Sequence, residues 1–183
     1  DQLEPDSAAY NLHWAARLDG DVSIAAMQAA VNALVARHDS LRTTFSGSEG
    51  DAGKPVQVIA PCVDVPVEVE VFSGAPEERL HSRLLELIHR PFDLQAGPLL
   101  RMHLLQLSKT QSVLLVAIHH IVADGWSMGL LMTELAELYN SAVGNREPQL
   151  ASLPIQFADY AVWQQAEMQG EHLARELNYW QQQ

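Results

Sequence analysis

The sequence holds a single cysteine, Cys62, in 183 residues. One thiol cannot form an internal disulfide framework or a cysteine-based metal cluster, so the expected setting is reducing and cytoplasmic. Positive charge is scarce as well. The 11 Lys and Arg residues stand against 23 Asp and Glu, for a formal net charge of −12. Neutralising a phosphate backbone requires clustered Lys and Arg, and no basic stripe is present, so a nucleic-acid surface is set aside. No apolar run approaches a membrane span, and the opening DQLEPDSAAY lacks the basic-then-apolar order of a secretory signal. Repeats and low-complexity tracts are missing, and no Gly-x-Ser-x-Gly elbow supplies a covalent nucleophile. What is present is an ordinary globular mixture, 48% apolar and 19% charged, long enough for one domain with a real core.

Periodicity outlines the elements. Residues 9–18 alternate loosely as a first strand. From Ser23 to His38, the spacing of Ile24, Met27, Val31, Leu34 and Val35 predicts a helix, with Asp21 or Ser23 as its cap. Leu41–Phe45 reads as a strand and Ser46–Lys54 as a turn, followed by strands at Val56–Ile59 and Val67–Phe72. Pro76, Glu77 and Glu78 open a helix carrying Leu80, Leu84, Leu87 and Ile88 on one face, stopped by Pro91. Leu99–Leu107 and Ser112–His119 are the best strands. The second is apolar on both faces, which suits a central position covered from both sides. Residues 127–143 are helical, with Gly144 placed to stop them, and Phe157–Gln183 forms two helical stretches broken near Gly170. The mixed order predicts an α/β (α+β) sandwich, a mixed sheet covered by helices. The last segment, LNYWQQQ, reads as the middle of an amphipathic helix, and a fragment is therefore expected.

The informative segment is AIHHIVADGWS, residues 117–127, where the buried strand meets a helix. Strand side chains alternate, so His119 and His120 point to opposite faces, His120 on the side of Val116 and Ile118. Asp124 follows on the connecting loop. Gly125 permits a positive φ that would fold the loop back, and the next helix brings its amide end and dipole to the same place. Adjacent histidines at a strand end are, as a pattern, more often structural than catalytic. Histidines on opposite faces cannot chelate one ion, and no further His or Cys cluster completes a metal site.

His119-His120-x-x-x-Asp124-Gly125 matches the HHxxxDG signature of condensation domains of nonribosomal peptide synthetases and of their chloramphenicol acetyltransferase-like relatives. Four further segments resemble condensation domains in the right order. RHDSLRTTF, residues 37–45, resembles RHExLRTxF, and PFDLQAGPLLR, residues 91–101, resembles PFDLxxGPLLR. FADYAVWQ, residues 157–164, and LNYW, residues 177–180, resemble helices that close the first lobe. The resemblance implies the N-terminal lobe of a condensation domain over residues 1–183. The family's first motif and the whole C-terminal lobe are missing, and little activity is expected of this lobe alone.

The resemblance also implies a reaction. An aminoacyl thioester attacks an acyl or peptidyl thioester, both carried on phosphopantetheine arms of upstream and downstream peptidyl carrier domains. The domain binds no cofactor directly, and an adenylation domain is an expected neighbour. His120 is read as the residue that accepts a hydrogen bond and then the proton from the attacking amine. His119 is read as packed or hydrogen-bonded. Asp124 is read mainly as structural, with Arg37 or Arg42 as its cationic partner because an unpaired buried carboxylate is costly. Gly125 is required for its backbone, since a side chain there would crowd the turn and the substrate channel. Leu41, Phe45, Pro91 and Phe92 are read as core or helix stop, Trp126, Trp163 and Trp180 as apolar anchors, and Glu134 and Glu137 as a solvated helix face. An epimerisation domain shares the motif and ranks second. A heterocyclisation domain carries DxxxxD instead, and a simple acyl-coenzyme A acyltransferase lacks the flanking segments. A non-catalytic carrier-docking or recruitment module is the reading from another class. The same local residues hint at an L-configured upstream residue.

Overall fold

The strand at Gln111–His119 (β6) organises the fold, because every residue from Ser112 to Ile118 is buried. The computed structural model describes residues 7–47 and 55–183. It divides into two units, Asp1–Leu150 and Ala151–Gln183. In the first unit, β6 pairs antiparallel with β1 (Asn11–Asp19) on one side and with β5 (Leu100–Gln106) on the other. Strand β4 (Val67–Val71) pairs parallel to β5, which gives a mixed sheet in the order β1-β6-β5-β4. Its parallel step from β4 to β5 is crossed by helix α2 (Glu77–Ile88), as parallel neighbours require. Strands β2 (Thr43–Gly47) and β3 (Pro55–Ile59) form a separate antiparallel ribbon.

Alternation divides the apolar side chains of β6 between two layers. Leu114, Val116 and Ile118 join Leu100, Met102 and Leu104 of β5 against helices α1 (Ile24–Arg37) and α3 (Gly125–Val143), which contribute Val31, Leu34, Leu131 and Leu135. Val113, Leu115 and Leu105 face the other way, onto Leu80 and Leu87 of α2. At the end of the sheet nearest the histidines, Ala117 and Leu99 meet Phe92 and Leu94. Burying each such side chain contributes on the order of 2 kcal/mol, so the terminus of β6 is anchored on both faces.

Local chemistry accounts for the boundaries. The Ser23 hydroxyl caps α1 by accepting from the Ala26 amide at 3.2 Å. Helix α2 stops at Ile88, before Pro91, consistent with the restriction a proline places on the residue ahead of it. The strand expected from Leu41 begins only at Thr43. Residues Asp39–Arg42 instead form a 3-10 turn, in which Arg42 pairs with Asp39 and the Thr43 hydroxyl donates to the Asp39 carbonyl at 2.8 Å. The turn expected at Ser46–Lys54 gives its first two residues to β2, and 48–54 lie outside the described residues. The second unit holds α4 (Phe157–Glu167) and α5 (Gly170–Gln181), with the break at Gly170 marked by its positive φ of 58°. Its opening is closed by a capping box of Gln156 and Asp159. Phe157, Tyr160 and Trp163 form a row of rings along α4. No helix among the described residues is long and apolar enough to cross a membrane.

Candidate active site

Strand β6 delivers the two histidines to a short turn between itself and α3. The His119 amide donates to the Leu99 carbonyl at 3.0 Å and the His120 amide to the Tyr10 carbonyl at 2.8 Å. The backbone is therefore tied to the strands on both flanks at the point where the sheet ends. A third bond, from the Val122 amide to the His119 carbonyl at 3.1 Å, closes the turn. His120 already belongs to this turn, and its side chain is exposed.

His119 is the packed member of the pair. Its ring is half-buried, 6.2 Å from the Tyr10 ring and 6.2 Å from Phe92, which meets it edge-on at 86°. Its Nδ1 accepts from the Ile121 amide at 3.1 Å, so Nδ1 is unprotonated. Burial pushes its pKa below the ordinary 6.5, the direction that keeps the ring neutral in this role.

Asp124 departs from the expected pairing. It is exposed and serves as N-cap of α3, with Oδ1 accepting from the Ser127 amide at 2.7 Å and from the Ser127 hydroxyl at 2.6 Å. Those bonds hold its carboxyl below the usual range, and nearby His120 acts in the same direction. Because the carboxylate is solvated and capped, no buried charge calls for an arginine. The two arginines are engaged elsewhere. Arg37 pairs with Glu134, Nε at 3.0 Å and Nη2 at 3.2 Å. Arg42 pairs with Asp39 and donates to the Val35 and Ala60 carbonyls.

Glu134 is a second correction. It is not part of a solvated face but 5% exposed, held between Arg37 and the His38 Nε2, which lies 2.6 Å away. Burial alone would raise its carboxyl, but the hydrogen bonds from His38 and Arg37 outweigh it and hold the pKa below the ordinary value. The RHDSLRTTF segment thus fastens α1 to α3. Gly125 also differs from expectation. It is the first residue of α3 with no positive φ, and a Cβ there would meet nothing within 4 Å. Trp126, read as an anchor, is 89% exposed beside the turn.

Residue-by-residue reading missed Tyr10 and Arg101 as supports of this end of the sheet, and His38 and Glu134 as the tie between α1 and α3. Arg101 is buried, with its guanidinium carbon 3.7 Å above the centre of the Phe92 ring. Phe92 and Arg101 both lie in PFDLQAGPLLR, and that segment was the available signal. Among the described residues, no group of three or more His, Cys, Asp or Glu could hold a metal ion.

A mixed sheet layered with helices is the chloramphenicol acetyltransferase-like fold. The chain belongs to the condensation domain family, whose sequence profile matches residues 1–183. It is 39% identical over 186 residues to the chondramide synthase cmdD of Chondromyces crocatus, covering 99% of this chain and 5% of that protein. It is 38% identical to the phosphinothricin tripeptide synthetase PhsC of Streptomyces viridochromogenes, covering 98% of this chain and 17% of that one. Among solved structures, the X-domain from teicoplanin biosynthesis is similar with a TM-score of 0.84 at 35% identity, over 97% of this chain and 39% of that one. The starter condensation domain of rhizomide synthetase RzmA shares the fold, with a TM-score of 0.87 at 23% identity, over 99% of this chain and 44% of that one. The chain thus spans a small part of the curated synthetases it matches and under half of these solved domains.

Proposed function

We propose that this chain is the histidine-bearing N-terminal lobe of a condensation domain that joins two carrier-tethered thioesters through an amide bond. The observation that carries the reading is the exposed His120 imidazole, displayed from the end of the most buried strand on a backbone tied to both flanking strands. In the proposed reaction, the amine nitrogen of a downstream aminoacyl thioester attacks the carbonyl carbon of an upstream acyl thioester. The C–N bond forms, the C–S bond breaks, and the departing sulfur leaves on the upstream phosphopantetheine arm.

His120 accepts a hydrogen bond from the attacking amine, takes its proton as the tetrahedral intermediate forms, and passes it to the departing thiolate. An α-amino group has a pKa of about 8, so roughly a quarter is neutral near pH 7.5, and removing the first proton needs less than about 1 kcal/mol of help. Orientation and the charged intermediate are the larger demands, and an imidazole carried on a tethered backbone beside a helix N-terminus meets both. Asp124 and Gly125 act by starting α3 beside His120, and His119 by fixing the turn. The other wall of the site comes from a C-terminal lobe, with carrier domains and an adenylation domain as working partners. The upstream residue is proposed to be L-configured.

One observation favours a second reading. The chain is 38% identical, with a TM-score of 0.80, to an X-domain whose structure was solved in complex with OxyB. A recruitment module would use the same lobe without chemistry. The test loads both carriers of the intact synthetase with aminoacyl thioesters and follows the product by mass spectrometry. Peptide is the expected result, and little or none is expected of the 183-residue chain alone. An epimerised donor with no peptide supports the isomerase alternative. No change in either thioester supports recruitment.

A further inference from the structure

Arg101 stands out in the core because it is 9% exposed yet, among the described residues, has no carboxylate within salt-bridge distance. Its Nε is buried without a hydrogen-bond partner. A cation in that situation is costly, and a leucine or methionine would fill the same space at less expense in free energy. What the guanidinium does have is a planar face, stacked on the Phe92 ring, and an Nη2 that donates to the Arg90 and Pro91 carbonyls just ahead of that ring. Asn11 reinforces the same segment, its Nδ2 donating to the Ile88 carbonyl at 2.8 Å and to the Arg90 carbonyl at 3.0 Å. The ring so held presents its neighbour His119 with an edge-on contact. His119 in turn accepts from the amide of Ile121, the residue that follows His120.

We propose that Arg101, acting through Phe92, is a positioning residue for His120. It holds the ring that holds His119, and His119 fixes the peptide from which His120 projects. The inference rests on the functional reading above only for its effect on rate, since its effect on the turn is independent of any activity. Burial pushes the Arg101 pKa down to about 10, which still leaves the guanidinium charged at neutral pH, so the stack persists throughout the working range.

The experiment uses the intact synthetase with Arg101→Met, Phe92→Leu and Phe92→Tyr. Hydrogen exchange of peptides spanning residues 117–123 is followed by mass spectrometry, beside single-turnover amide formation with preloaded carriers. Arg101→Met and Phe92→Leu should each speed exchange at the Ile121 amide about tenfold and slow amide formation by roughly 10- to 100-fold, with carrier KM little changed. The acid limb of the pH–rate profile should move to higher pH, because a less buried His119 protonates more readily. Phe92→Tyr, which keeps the ring, should recover most of both effects. Where Arg101→Met does not fold, the Phe92 pair carries the test. Unchanged exchange in folded Arg101→Met and Phe92→Leu overturns the proposal, as does a rise in KM with kcat intact. A wild-type synthetase that forms no peptide but shows the faster exchange in the variants leaves the positioning claim standing and removes the functional reading.

Discussion

The histidine turn and the RHDSLRTTF segment both resemble motifs of the condensation family, yet they solve opposite problems. The turn leaves His120 and Asp124 in solvent and fixes them by backbone bonds and a helix cap. The segment buries its charges, with Arg37, His38 and Glu134 gathered between α1 and α3. One region displays a side chain and the other holds the scaffold, so substitution should damage rate in the first and stability in the second. An exposed imidazole contributes little to folding, whereas a buried carboxylate held by Arg37 and His38 cannot be removed without breaking those buried bonds.

The largest effect on stability that separates the regions is Glu134→Ala, which should cost about 3–5 kcal/mol in denaturant unfolding by breaking its buried bonds to Arg37 and His38. A loss under about 1 kcal/mol would put the segment on the same footing as the turn. Acidification should act next. His119 and His103, a fully buried residue of β5, sit below their ordinary pKa of 6.5, in each case chiefly through burial, and Glu134 sits below its ordinary 4.5. For depressed groups, stability is present above the unfolded pKa and lost as pH falls through the folded one. Thermal unfolding should therefore be flat above about pH 7, decline below about 6.5 and fall further below about 4.5, and the last step should be smaller in Glu134→Gln but still present, because Asp124 and Glu137 are also held below their ordinary values. A smaller loss is expected of Asp124→Ala, from the lost cap, with Asp124→Asn nearly neutral because asparagine caps equally well. Smallest of all, His120→Ala should leave unfolding within about 0.5 kcal/mol of wild type, as befits an exposed side chain. A larger shift there would show that the turn also supports the scaffold.

Local patterns were legible in the chain and distant pairings were not. Helices α1 and α3 follow from apolar spacing to within about two residues, and β6 from its unbroken apolar run. The 3-10 turn at Asp39–Arg42 escaped because side-chain bonds to the local backbone override a strand-like composition. Asp124 as a cap was readable, since Ser127 stands three residues on and a helix begins between them. Weighing it as a buried carboxylate hid that simpler role. Glu134 was readable too. It shares the stripe of Leu131, Leu135 and Leu138, and an acid on a core stripe demands hydrogen-bonding partners. That Arg37 and His38 supply them, or that Arg101 reaches Phe92, depends on how the elements cross in space.

If residue 120 is held out as a rigid imidazole for chemistry and not for folding, its removal should cost rate alone. Single-turnover amide formation in the intact synthetase carrying His120→Ala, with both carriers loaded beforehand, measures this most directly. A loss of about 10²–10⁴-fold in rate, with carrier affinity and unfolding unchanged, is the predicted result. Product formed at the wild-type rate would contradict it.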